Sequence, residues 1–293
     1  MNLVVGATGM LGGQIVHRLV GSGKPVKALV RTTAAPAAVE DLNALGIDVV
    51  EGDLRDPASL TRACQGLATV ISTATAISGR LPGDSISEID LRGQRNLVDV
   101  AGASGVRHLI YTSFSGNLRT PEPLGDSKRA VERYLMDSQV VYTILRPTYF
   151  MEGWLSPFLG FDYPNAQARI YGSGRNPISW ISLQDVAEFA ARCVDNPDAR
   201  AKVLELGGPE PLSPLAVVRI FEESGGRPFT VEHVPEDVLS AQLEQADNDV
   251  SKSVIGLMLD YAHGDAKDMT EVLGAFPIRL TAVRDYATRV LAG

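Results

Sequence analysis

The chain has 293 residues, enough to bury a sizeable core in one large domain or two smaller ones. Its composition, 45% hydrophobic and 21% charged, is that of an ordinary globular protein, without the run of roughly 18 apolar residues that a membrane-spanning helix needs. A formal charge of −8 and the lack of any Lys/Arg cluster argue against the basic face that nucleic acid requires.

The first half alternates strand and helix at a regular pace. Short runs rich in Val, Ile and Leu predict strands over residues 2–6, 25–31, 48–53, 68–74, 107–113 and 140–147. Helical patterns fill the intervals at 10–22, 37–45, 58–64, 86–104 and 128–137. Strands alternating with helices form right-handed βαβ units around a parallel sheet covered on both faces. The expected fold is therefore α/β, a Rossmann-type doubly wound sheet. After Pro147 the rhythm breaks, and aromatic residues and glycines cluster over 149–174. Beyond them lie a short strand and an amphipathic helix near 176–194. AKVLELGG and PFTVEHV look like further strands, with helices near 214–224 and 281–291. Residues 1–150 read as a nucleotide-binding domain and 151–293 as a smaller, interleaved, substrate-facing lobe with segments packing back on the first. The N-terminus enters a strand directly with no basic leader, so a cytoplasmic protein is expected.

Cys64 and Cys193 sit in apolar helical patterns and read as buried, reduced thiols. His17, His108, His233 and His263 are scattered without metal-ligand spacing, and no metal is expected.

The most informative stretch is LVVGATGMLGGQIVHRLV, in which Gly6, Gly9 and Gly12 give G-x-x-G-x-x-G between a strand and a helix. Glycines suit a turn of unusual dihedrals that a pyrophosphate must approach closely, and the helix N-terminus offers that anion free N–H groups. Thr8, Met10 and Leu11 belong to the same turn. An acidic residue usually ends the second strand of an NAD site, where it binds the ribose 2′-hydroxyl. Arg31 stands there instead, and a guanidinium binds a 2′-phosphate that a carboxylate would repel. NADP(H) is the expected cofactor, the alternative being a solvated strand-end arginine. In EGDLRD, Asp53 can accept a hydrogen bond from the adenine amino group while Leu54 packs on the ring; Asp53 as a helix cap is the competing reading. Thr73 and Ala74, at the end of the fourth strand, are expected on the ribose side.

These residues, with the helix IDLRGQRNLVDVA and the segments HLIYTS, SKRAVERYL, YTILRPTYFME and ISLQDVAEF, resemble the extended, atypical short-chain dehydrogenase/reductases, and among them the NmrA-like group. The match runs through most of the chain. The resemblance implies an NADP-binding core with the nicotinamide near Thr112, Ser113, Lys128 and Pro147. It further implies a substrate pocket beginning in the Pro-Thr-Tyr-Phe region. Ordinary short-chain dehydrogenases carry Tyr-x-x-x-Lys, whereas four residues before Lys128 this chain has Leu124. The group often keeps the lysine and lacks the tyrosine, which speaks against simple alcohol dehydrogenation. Lys128, at the start of its predicted helix, and Ser113 are the candidate catalytic residues; a solvated lysine and a turn-capping serine are the competing readings. Phe114, Tyr149, Phe150 and Trp154 are the candidate substrate contacts for a flat apolar molecule, against a plain core role.

Two functions follow. One is an NADPH-dependent reductase of a quinone- or enone-like small molecule. The other is an NADP(H)-sensing regulatory or assembly protein without turnover. A sugar-nucleotide epimerase is disfavoured by the missing tyrosine. The oligomeric state stays open, a homodimer included.

Overall fold

Six apolar runs of the first half form the predicted strands, and for five of them the reason is visible in their burial. In the computed structural model, which describes residues 1–77 and 83–292, the strands β1 (Asn2–Val5), β2 (Val26–Val30), β3 (Asp48–Glu51), β4 (Thr69–Ser72), β5 (His108–Thr112) and β6 (Tyr142–Pro147) pair in parallel. With β9 (Lys202–Leu206) they make a seven-stranded sheet of order β3-β2-β1-β4-β5-β6-β9. Residues such as Val4, Ala28, Ile71 and Ile110 are wholly buried, as continuous apolar strands covered on both faces must be. The order reverses direction between β1 and β4, and the carboxyl ends of these strands flank the crevice where open α/β sheets bind ligands.

The helices of the first half are α1 (Met10–Gly21), α2 (Pro36–Ala44), α3 (Pro57–Cys64), α4 (Gln94–Ala103) and α5 (Pro123–Met136). Pro36 and Pro57 stand at helix starts, where the missing N–H costs nothing, and Asp56 caps α3 by accepting from Ala58 N at 3.0 Å. Two details depart from the sequence expectation. Residues 86–104 are not one α-helix: Ile86–Gly93 winds as a π-helix before α4. The helix expected to begin at Lys128 begins at Pro123, so Lys128 lies in its second turn, with Leu124 one turn before it on the same face. Proline at the first helical position explains the earlier start.

Two compact units share the chain: residues 1–113, 123–145 and 186–204 form the first, and 114–122, 146–185 and 205–293 the second. The first unit holds β1 to β5, α1 to α5 and the greater part of β6. Cys64 and Cys193 are free and buried, and burial pushes their thiols up to about 11 and about 12.

His108 opens β5 level with Asn2 and Thr69, at the sheet edge away from the glycine turn. Its ring is buried, and Nε2 lies 2.8 Å from Thr143 Oγ1, whose own proton goes to the Ala199 carbonyl at 2.6 Å. Thr143 can therefore only accept, so the imidazole keeps its proton on Nε2, and Nδ1 has no hydrogen-bond partner. Burial, helped by the charge of Arg200, pulls the pKa down to about 4. The unfolded chain thus takes up this proton first, and the stability supplied by neutral His108 is complete above about pH 6.5. That stability falls away as the pH drops through 4. Its loss over that span is expected to be on the order of 3 kcal/mol. Denaturant unfolding from pH 7 to 4 should show a flatter profile in His108→Gln; an unchanged slope would assign the acid sensitivity elsewhere.

The second unit contains a small sheet of order β10-β8-β7, from β7 (Phe161–Asp162), β8 (Gln167–Tyr171) and β10 (Thr230–Val234). Besides the short helix α6 (Met151–Trp154), it carries α8 (Pro214–Gly225), α9 (Glu236–Gln245), α10 (Asp249–His263), α11 (Thr270–Ala275) and α12 (Val283–Leu291). The remaining helix, α7 (Leu183–Cys193), belongs chiefly to the first unit. Tyr149, Phe161, Trp180, Phe221, Tyr261 and Tyr286 dominate the second unit's core.

Carboxylates fasten the 114–122 loop within this unit. Asp260 accepts from Arg119 N and Thr120 N at 3.1 Å each, and Asp265 from Ser115 Oγ at 2.8 Å and Asn117 Nδ2 at 2.9 Å. Glu205 accepts from Gly116 N at 3.0 Å, Arg146 at 3.0 Å and Lys267 at 2.7 Å. Burial alone would raise the Glu205 pKa, but these hydrogen bonds hold it below the usual carboxylate range.

Candidate functional site

Register brings the predicted nucleotide residues to one edge of the first unit. Val5, Ser72 and Tyr111 are level across β1, β4 and β5, so the residues just beyond them, Gly6, Thr73 and Thr112, emerge side by side. Gly6 has φ of +87°, which only glycine adopts readily. A Cβ there would meet Thr73 Oγ1 at 2.7 Å and Ala74 N at 2.9 Å; one on Gly12 would stand 2.0 Å from the Gly6 carbonyl oxygen. The turn closes through Gly9 N donating to Gly6 O at 2.9 Å. Thr8, Gly9 and Met10 are exposed, while Leu11 and Gly12 turn inward. Gly9 gives α1 no side-chain cap, and no acidic residue lies in its first turn. The amides of Met10, Leu11 and Gly12 have no partner within the helix. This cradle fits the pyrophosphate of a dinucleotide in space and in charge.

Arg31 follows β2 and donates to Asp84 Oδ2 at 2.7 Å. Asp53 is gripped by Arg55, whose Nε and NH2 lie 2.9 and 2.6 Å from its two oxygens, and it accepts from Arg55 N at 2.8 Å. The hydrogen bond from the Arg55 side chain, against the effect of burial, holds the Asp53 pKa down. Leu54 is buried in the core over Gly93, where a Cβ would come within 2.8 Å of Leu54 Cβ. Asp84 and Arg55 were not singled out from the sequence; Asp84 is 53 positions from Arg31, and only the fold joins them.

At the end of β5, Lys128 is not a solvated charge. It is 3% exposed and reaches down to the Thr112 carbonyl at 3.3 Å and to Asp90 Oδ1 at 3.4 Å, with Nζ 5.1 Å from the Tyr111 ring centroid. Asp90, on the π-helical segment and wholly buried, accepts from Ala76 N through its other oxygen at 2.8 Å. Tyr111 shares this pocket of charge, and burial, with Asp90 and Glu132 nearby, raises its pKa well above the ordinary phenol range. The Ser113 hydroxyl lies 3.4 Å from Arg129 NH1, and its amide donates to Leu145 O. Leu124 is fully buried. Neither Asp90 nor Tyr111 carried a sequence signal, since both acquire meaning only from α5.

In the second unit Pro147 is buried and its carbonyl accepts from Ser115 N at 3.0 Å. Tyr149 is buried too, edge-on to Trp154 at 4.9 Å, its hydroxyl donated to Leu257 O. Trp154 stacks on Tyr261 at 5.6 Å and 27°, and it is half-buried, as are Phe150 and Phe114. Of the wider aromatic set, Phe161 is core and Phe158 lies open on the surface.

Among the described residues, no group of three or more His, Cys, Asp and Glu could hold a metal, and no helix is long and apolar enough to cross a membrane.

Comparison with known proteins agrees with this geometry. Quinone oxidoreductase 2 of Escherichia coli (strain K12) is 28% identical over 290 residues, 94% of each chain. Photosystem II assembly factor Ycf39 of Synechocystis sp. is 29% identical over 239 residues, 81% of this chain and 71% of that one. The crystal structure of the NADPH-dependent quinone oxidoreductase QOR2 from Escherichia coli, complexed with NADPH, matches with a TM-score of 0.77 at 25% identity over 99% of both chains. The sequence profile of the NmrA-like family covers residues 2–268, the glycine turn, Arg31 and the Lys128 helix among them. The chain belongs to the NmrA-like family, on a Rossmann-type fold that it shares with the quinone oxidoreductase QOR2 and an isoflavone reductase.

Proposed function

We propose that this protein is a cytoplasmic NADPH-dependent reductase of a flat conjugated small molecule, quinone- or enone-like. The observation that carries the reading is the buried Lys128, locked between Asp90 and Thr112 beside a glycine cradle, with Leu124 where a phenol would stand. When bound, the nicotinamide supplies the hydride. The chain's residues bind and orient: the amides at the α1 N-terminus take the pyrophosphate, Arg31 takes the 2′-phosphate, and Thr73 and Ala74 edge the ribose side. Lys128 places a fixed ammonium near the nicotinamide end, where it holds the ribose or relays a proton. Ser113 flanks it. In the second unit, Phe114, Phe150 and Trp154, backed by Tyr149, offer an aromatic surface suited to a flat acceptor.

A positioned acid is worth about 10²–10⁴ in rate to a developing alkoxide. The chain has Leu124 instead of that phenol, so acceptors that delocalise the incoming charge are favoured. NADPH oxidation should be measured across matched quinone, enone and aldehyde substrates. Turnover confined to quinones or enones is expected, and fast aldehyde reduction would overturn the acceptor class. The second reading, an NADP(H)-sensing assembly protein, draws on the likeness to the photosystem II assembly factor. Tight NADPH binding without turnover on any acceptor would select it.

A further inference from the structure

Arg31 and Arg55 converge on one carboxylate. Asp84 Oδ2 accepts from Arg31 NH1 at 2.7 Å, and its Oδ1 lies 3.4 Å from Arg55 NH1. The Asp84 side chain is 3% exposed, whereas those of Arg31 and Arg55 are 32% and 35% exposed. The anion therefore sits underneath and both cations face out. Arg55 simultaneously holds Asp53. Among the described residues, two guanidinium groups and two carboxylates thus meet at the ends of β2 and β3.

We infer that Asp84 sets the choice between NADPH and NADH by neutralising the arginines that would receive the 2′-phosphate. The inference rests on the nucleotide site proposed above. A phosphate monoester carries about −1.5 to −2 charges at neutral pH. Placed against Arg31, it must share that guanidinium with a carboxylate already bonded to it, so much of the charge-assisted gain is offset. A ribose 2′-hydroxyl, being neutral, meets no such penalty. The cluster therefore narrows the discrimination that Arg31 alone would confer. Removing the Asp84 charge makes the cluster one unit more positive and strengthens the preference for the phosphate; removing Arg55 makes it one unit more negative and erodes that preference.

The test is the ratio of NADH to NADPH dissociation constants, from calorimetric titration of the full chain and its variants. Asp84→Asn is expected to raise the ratio in favour of NADPH about tenfold, roughly the value of one charge-assisted hydrogen bond. Added salt should shrink that gain. Arg55→Gln, at a partly exposed position where folding is safe, is expected to lower the ratio about threefold. Circular dichroism and melting temperature establish that each variant is folded. If either folded variant keeps the wild-type ratio, Asp84 is only a structural counter-ion and the inference falls while the nucleotide site stands. If the wild type binds neither nucleotide, both fall together.

Discussion

Gly12→Ala is expected to abolish nucleotide binding and to destabilise the first unit. The added Cβ would stand 2.0 Å from the Gly6 carbonyl oxygen, a backbone atom that cannot swing aside as a side-chain tip can. Either α1 retreats from β1 or the Gly6 turn opens, and both displace the amides that face the pyrophosphate. Forcing such an overlap costs about 1–3 kcal/mol of stability, and NADPH affinity should fall by more than roughly a hundredfold once the helix N-terminus is misplaced. Gly9→Ala separates the two effects, because its Cβ would lie 3.2 Å from the same oxygen and can be absorbed by small shifts. That variant should fold as the wild type does and still lose affinity. Fluorescence titration with NADPH, alongside denaturant unfolding, reads both quantities. Wild-type affinity in Gly12→Ala would show that the turn is architecture and not a binding site.

The second large effect is expected at Lys128. Replacing it with Met leaves Asp90 wholly buried beside Tyr111 without the ammonium that faces its Oδ1. Removing one partner of a buried ion pair typically costs about 3–5 kcal/mol, because the remaining charge keeps its desolvation penalty. Asp90→Asn in the same chain removes that stranded charge, so the double variant should recover much of the loss. Acceptor turnover should not recover with it, since the ammonium is still missing. This split separates the structural duty of Lys128 from the chemical one. If Lys128→Met unfolds at the wild-type denaturant concentration, the pair contributes nothing and Asp90 is satisfied by other means.

The strands of the first unit were legible because a sheet buried on both faces demands unbroken apolar runs, which local composition records. The turn of Gly6, Gly9 and Gly12 was legible for a related reason: a tight βα turn imposes their spacing. Partners separated by long stretches of chain were not. Asp84 meets Arg31, and Asp90 meets Lys128, only after helices and strands have packed, and neither aspartate stands out among its neighbours in sequence. Helix α5 starts five residues before the expected Lys128, at Pro123, because proline is a good first residue of a helix. Helices α9, α10 and α11 escaped because the strand-helix alternation that made the first half readable is absent there, and the strands β7 and β8 were hidden in a stretch rich in aromatics and glycine.

The π-helical winding of Ile86–Gly93 has a consequence for how this site tolerates change in chain length. Each residue of an α-helix advances the side chains by about 100°, whereas a π-turn spreads the same rotation over an extra residue. The segment therefore acts as a phase adjuster between the residues leading from β4 and the regular helix α4. Deleting one residue within it would let the segment relax to ordinary α winding over much the same total rotation, so α4 would keep its phase. A deletion within α4, which winds regularly, would instead rotate everything on one side of it by about 100° relative to the other. The π segment is thus the place where this helix can lose one residue, other than Asp90 itself, and still keep the lysine beside its counter-ion.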